Sequence, residues 1–89
     1  MPAACRANID AHSCGSMDSQ GSDDVFINGY PAHRRTDADA HGSSQVEGSP
    51  DVFVNGLELA RIGDSNSGCP VPHPPNPEAT GSPDVFVNG

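Results

Sequence analysis

The chain has no Trp, one Tyr and three Phe, and its 89 residues set four basic side chains against twelve acidic ones. So few aromatics in so short a chain leave a thin apolar core. A domain of this size buries only about 60 to 65% of the surface its unfolded chain exposes. With 34% apolar residues, part of the stability is expected from a metal, an oligomer or a docking partner. The net charge of −8 and the lack of any basic run exclude nucleic acid and anionic lipid as electrostatic partners, since both need a basic patch. No apolar stretch approaches the roughly 20 residues that span a bilayer, and the N-terminus carries no cleavable signal pattern. Whatever takes the protein across a membrane is therefore expected to lie outside its own sequence. Three Cys is an odd number for a disulfide framework, which points to metal ligation or burial. No window shows the period of an amphipathic helix.

What the chain does have is a nine-residue block that occurs three times. Gly48-Ser49-Pro50-Asp51-Val52-Phe53-Val54-Asn55-Gly56 is matched by residues 21–29 and 81–89, with Pro replaced by Asp and Val by Ile in the first copy. Internal repetition of this kind fixes the architecture. Each block reads as breaker, strand and turn: Val-Phe-Val suits a pleated surface, and Asn-Gly suits the positive φ angles of a type I′ hairpin. Tyr30 to Arg34 and Leu57 to Arg61 are the expected return strands. Nothing follows Gly89, but Pro2 to Arg6 is a return strand with no strand before it. Pairing of the last strand with the first would close three hairpins into a ring and leave no open edge. The expectation is one all-β domain over residues 1–89, a small pseudo-threefold cone of three β-hairpins with its loops converging at the tip. Phe26, Phe53 and Phe86 hold equivalent positions and are either core or an adhesive base.

The loops, roughly 7–20, 37–47 and 64–80, are rich in Ser, Asp, Gly, Asn and Pro. Repeat starts are 27 and then 33 residues apart, and the added length is Pro70 to Pro77, whose prolines favour a polyproline-like path. His12, Cys14, His41, Cys69 and His73 fall in these loops. Aligning Asp10, Asp37 and Asp64 sets Cys14 opposite His41 and beside Cys69, so each loop brings a soft ligand to about the same height. Imidazole and thiolate together suit tetrahedral zinc. The expected ligands are His12, His41, Cys69 and His73, with Cys14 as the rival. Cys5 and His33 align with Ala60, which favours packing over ligation for both. Arg6, Arg34 and Arg61 precede Asp10, Asp37 and Asp64, an arrangement suited to pairing within each hairpin. No nucleophile elbow or glycine-rich phosphate cradle accompanies the Ser, His and Asp, so an enzyme is not expected.

Pro31-Ala32-His33-Arg34, with Ala3-Ala4-Cys5-Arg6 and Glu58-Leu59-Ala60-Arg61 as degenerate copies, resembles the Pro-Ala-Ala-Arg of the PAAR-repeat family, and Arg61-Ile62-Gly63-Asp64 and Val52 to Gly56 fit its flanks. The departures are Arg35-Thr36-Asp37 and Asn8-Ile9-Asp10 where the family has Gly-Asp. The resemblance implies a sharp cone that caps the trimeric β-helical spike of a contractile injection machine, in phage tails or type VI secretion, with three His and one Cys binding Zn2+ near the apex. It implies a structural tip, one monomer per spike trimer, that punctures the target membrane mechanically. Its location would be the virion tail, or the cytoplasm before secretion with the spike. Tyr30 and Leu57, just after two of the turns, are the expected contacts to the spike. With nothing after Gly89, no effector domain is expected. The alternative is a stand-alone zinc-dependent enzyme with an open coordination position. A calcium-binding β-roll would need a period of about nine residues, which the observed spacing does not supply.

Overall fold

The computed structural model describes residues 2–13, 15–40, 42–67 and 77–87. Among these there is no helix, and the extended segments are short: β1 (Phe26–Ile27), β2 (Tyr30–Pro31), β3 (Phe53–Val54) and β4 (Leu57–Glu58). Asn28 and Gly29 have φ of 55° and 84°, and Asn55 and Gly56 have 54° and 81°. Two successive positive φ angles make a type I′ turn, whose twist matches that of the strands it joins. Phe26 accordingly pairs with Pro31 and Ile27 with Tyr30, while Phe53 pairs with Glu58 and Val54 with Leu57.

The expected closure of the chain ends is present. Ala3 and Phe86 form an antiparallel bridge, the Ala4 amide donates to the Val85 carbonyl at 2.9 Å, and the Val87 amide donates to that of Pro2 at 2.8 Å. The hairpins are also joined to one another in cyclic order, by bridges from Arg6 to Ala32, Arg34 to Leu59 and Arg61 to Ala4. At the centre the Cys5 amide donates to Ala60, the Ala60 amide to His33 and the His33 amide to Cys5, at 3.0, 2.9 and 3.1 Å. Three strands thus satisfy one another's backbones in a closed cycle, which leaves no edge there to recruit another chain.

Alternation decides which side chains face inward. Ile27, Val54 and Val87 join Ala4, Ala32 and Leu59 in the apolar core, with Val52 packed against it. The neighbouring Phe side chains therefore point out. Gly48 is required by close approach, since a Cβ there would lie 2.6 Å from Glu58 Cβ.

Beyond the hairpins each loop leaves and returns as a narrow arm, held by bridges at Ala11 with Met17, Ala38 with Ser44 and Ser65 with Pro77. The arms are stitched together by bridges of Asp18 with Asp39, Gln45 with Asn66 and His12 with Glu78. The loops therefore converge, as expected. The polyproline-like path expected for Pro70 to Pro77 lies, apart from Pro77, outside the described residues. The molecule measures 30 × 24 × 24 Å.

Where hairpin passes into arm, an Arg and an Asp lock the corner in every repeat. The Arg34 guanidinium grips Asp37 with Nε and Nη2 at 2.8 and 2.9 Å while Asp37 also accepts the Arg34 amide. Arg6 with Asp10 and Arg61 with Asp64 repeat the arrangement. The corner residue has positive φ in all three: Asn8 at 71°, Thr36 at 80° and Gly63 at 95°. The first repeat accommodates its additional residue, Ile9, between Asn8 and Asp10. The departures from Gly-Asp thus keep the turn and load it with backbone strain, most of all at the β-branched Thr36.

Candidate metal centre

The apolar core stops at the hairpins, and the arms enclose a column of polar side chains. The largest fully buried side chains include His12, His33, Gln45, Glu78, Asn66, Asp10 and Asp18. Register explains their meeting. His12, Asp39 and Asn66 each stand two residues after the corner Asp, while Asp18 and Gln45 stand eight after Asp10 and Asp37. The bridges pair these two sets across neighbouring arms, with Glu78 completing the second set. Cys5 and His33, both fully buried, close the column toward the hairpins.

Hydrogen bonds fix how the two imidazoles face. The Gln20 carbonyl accepts from His33 Nδ1 at 2.7 Å, so Nδ1 carries a proton and Nε2 is the nitrogen turned toward the column. That nitrogen faces Asp18 Oδ1 at 3.5 Å and Glu78 Oε2 at 3.8 Å. Gln45 Nε2 donates to the Glu47 carbonyl, which leaves its Oε1 to accept from His12 Nε2 at 2.9 Å. His12 Nδ1 then turns to Asp18 Oδ1 at 3.3 Å and Asp39 Oδ2 at 3.8 Å. Asp39 is itself satisfied by the Ser43 amide and by Asn66 Nδ2, both at 2.9 Å.

Asp18 and Glu78 are not satisfied. Both oxygens of each, together with His12 Nδ1 and His33 Nε2, are buried with no hydrogen-bond partner among the described residues. Buried acceptors of this kind cost on the order of 1–3 kcal/mol each unless a proton or cation lies between them. The Cys5 sulfur joins the same group, its Sγ and the Asp18 and Glu78 oxygens all within 4.8 Å of one another. Burial, followed by the proximity of Asp18, raises the Glu78 carboxyl far above its ordinary value, and burial does the same to the Cys5 thiol. Burial opposes charge on His12, but Asp18, Gln45 and Asp39 together outweigh it and the imidazole is raised. The chemistry on offer is capture of a positive charge by carboxylate, imidazole and sulfur.

Of the ligands expected from the sequence, His12 lies in this column, whereas His41, Cys69 and His73, and the rival Cys14, lie outside the described residues. Cys5 and His33 are packed inside, as their match to Ala60 suggested, yet their heteroatoms line the column. Asp18 and Glu78 went unnoticed. A signal was present in the polar residues that recur at fixed offsets from the corner Asp, but no residue type is repeated within a set.

The PAAR motif model matches residues 37–89, more than half of the chain. The chain belongs to the PAAR-motif family. Comparison with curated proteins finds no match. The part of this PAAR protein ahead of the matched region contributes Cys5, His12, Asp18 and His33 to the column and, through Pro2 to Ala4, the partner of the last strand. The motif points to a spike-tip role in a contractile injection system and to association with a spike complex. Among the described residues no helix is long and apolar enough to cross a membrane.

Proposed function

We propose that this protein is a structural tip that caps a trimeric β-helical spike of a phage tail or type VI secretion system and sharpens it for mechanical puncture of the target membrane. One observation carries this reading beyond the family: Phe26, Phe53 and Phe86, at the same position in three hairpins joined in a cycle, are 56, 56 and 51% exposed. Three matched aromatic side chains in water are an unsatisfied apolar surface, and a threefold partner has three equivalent places to receive them. Tyr30 and Leu57, the contacts expected from sequence, are only half-exposed, and Arg6 lies 5.7 Å from the Tyr30 ring centroid. The Phe residues are therefore the better anchors. A disc 24 Å across covers about 450 Å², or about 900 Å² over two partners, close to the roughly 1,000 Å² of a specific interface.

The opposite end is held in this reading by Zn2+ bound to His41, Cys69, His73 and a ligand of the first loop, His12 or Cys14. Imidazole and thiolate donors suit a closed tetrahedral site whose contribution is folding energy. His12 turns inward, Nε2 bonded to Gln45 and Nδ1 facing Asp18, which favours Cys14, four residues after Asp10 as His41 is after Asp37.

The test is the mass of a mixture of this chain with its trimeric spike. One copy per trimer is expected, weakened or lost in Phe53→Asp while the isolated chain stays folded. A 3:3 complex, or none with any cognate spike, overturns the reading.

A further inference from the structure

We propose that Cys5, Asp18, His33 and Glu78 form an interior site for a divalent transition-metal cation, separate from the centre proposed for the loops. The site is built. Cys5, Asp18 and His33 are fully buried and Glu78 is 2% exposed, so water does not compete freely for these groups. His33 arrives from one side with Nδ1 anchored on the Gln20 carbonyl at 2.7 Å, the outer hydrogen bond that orients a metal-binding imidazole and points its other nitrogen at the ion. That nitrogen has no hydrogen-bond partner among the described residues.

The spacing of the imidazole and the two carboxylates fits as well. Zinc bonds to nitrogen and oxygen of about 2.0–2.2 Å set ligand-to-ligand edges of about 3.4 Å in a tetrahedron. His33 Nε2 lies 3.5 Å from Asp18 Oδ1 and 3.8 Å from Glu78 Oε2, and Cys5 Sγ joins both carboxylates within 4.8 Å. A lone pair facing two carboxylates at such distances is repulsive unless a positive charge lies between them. Two carboxylates offset the two charges of a divalent ion, which lowers the cost of burying it, and ligation by the Cys5 sulfur releases its thiol proton to solvent as the ion binds. One imidazole, two carboxylate oxygens and one sulfur form a borderline set that zinc accepts.

The site draws its residues from all three repeats: Cys5 and Asp18 from the first, His33 from the second and Glu78 from the third arm. An ion there ties the first and third arms to the central strands beneath the tip, at a point where the apolar core has already ended. The inference does not rest on the proposed spike role or on the loop ligands.

Native mass spectrometry of the full chain folded with Zn2+ tests it. Two zinc ions per chain are expected, one of which disappears in Glu78→Gln and the other in His41→Ala. Cys5→Ser should retain the interior ion with weaker affinity, by about 10-fold or more. Two ions that both survive Glu78→Gln overturn the inference. So does a single wild-type ion that vanishes in His41→Ala, a count that needs no interior variant and means protons alone serve the column. A single ion lost in Glu78→Gln but kept in His41→Ala upholds the interior site and overturns the loop centre, and a wild-type chain with none overturns both.

Discussion

The Ser82 hydroxyl donates to Asn28 Oδ1 at 2.6 Å, joining the last repeat to the turn of the first hairpin. The same oxygen accepts from Arg6 Nη1 at 3.1 Å, and Asn28 Nδ2 donates to Asp84 at 2.9 Å. Asn55 repeats all three contacts with Ser22, Arg34 and Asp24. The turn residue is thus the link between neighbouring hairpins as well as the source of a positive φ. Asn55→Gly keeps the φ and removes the link, so it isolates the second role. A loss of about 1–3 kcal/mol is expected, read as a lower thermal midpoint. An unchanged midpoint would show that the turn alone matters.

These links also make the contact between hairpins acid-sensitive. Hydrogen bonds from Asn55 and then Ser22 hold the Asp24 carboxyl below its ordinary value of 3.8, and Asn28 and Ser82 do the same for Asp84. A depressed folded-state value means that the stabilisation is present above the unfolded value and is lost as pH falls through the folded one. Stability should therefore decline below about pH 4, less steeply in Asp24→Asn, in denaturant titrations across that range. An identical slope in the variant would detach Asp24 from the acid response.

The corner at Thr36 offers a gain. Its φ of 80° costs a β-branched residue more than the roughly 1–2 kcal/mol of an ordinary side chain in this region, against about 0.4–1 kcal/mol of chain entropy that glycine loses. Thr36→Gly should stabilise by about 0.5–1 kcal/mol, and Gly63→Thr should destabilise by a similar amount. Chemical denaturation of both variants checks the pair of signs.

The parts of the fold that were legible are those written in adjacent residues. Asn28-Gly29 and Asn55-Gly56 specify their turns locally, and the split repeat at Pro2 and Val87 specifies closure by simple complementarity. The polar column was hidden for a physical reason. Residues that meet across arms related by repetition face one another, so three copies of Asp at the position of Asp39 would bring three like charges together. His12, Asp39 and Asn66 avoid that by differing; in the other set Gln45 breaks the run of acids, while the Asp18 and Glu78 carboxyls still face one another. The repeat is thus lost from the sequence at the positions where its copies touch. Cys5 and His33 are buried as their match to Ala60 implies, and that match gives no sign of the heteroatoms they turn toward the column.

Closure of the ring gives the next expectation. The Ala4 amide donates to Val85 and the Val87 amide to Pro2, so removal of residues 84–89 strips the N-terminal strand of that partner. The Ala4 amide should then exchange with solvent at least about 10-fold faster, while the Leu59 amide, bonded to the Val52 carbonyl, keeps its protection. Equal acceleration at both would mean that the hairpins unfold together and that closure holds the whole molecule.

The last expectation separates the two halves of the molecule by what stabilises each. The hairpin half holds Ile27, Val54, Leu59 and Val87, and the arms hold His12, Asp18, Gln45, Asn66 and Glu78, which gain little from leaving water unless their charges are matched. Binding energy at a structural zinc site is on the order of 10 kcal/mol and becomes folding energy. Removal of metal by a chelator should accordingly open the arms before the hairpins. The amides of Asp18, Gln45 and Glu78, which bond to the carbonyls of Asp10, Asp37 and Asp64, should lose protection from hydrogen exchange. Those of Ala32 and Leu59, bonded to Val25 and Val52, should hold longer. Metal-free protein with unchanged protection at all five amides would mean that neither the loops nor the column depends on a cation, and the polar interior would then be held by shared protons between Asp18, Glu78 and the two histidines.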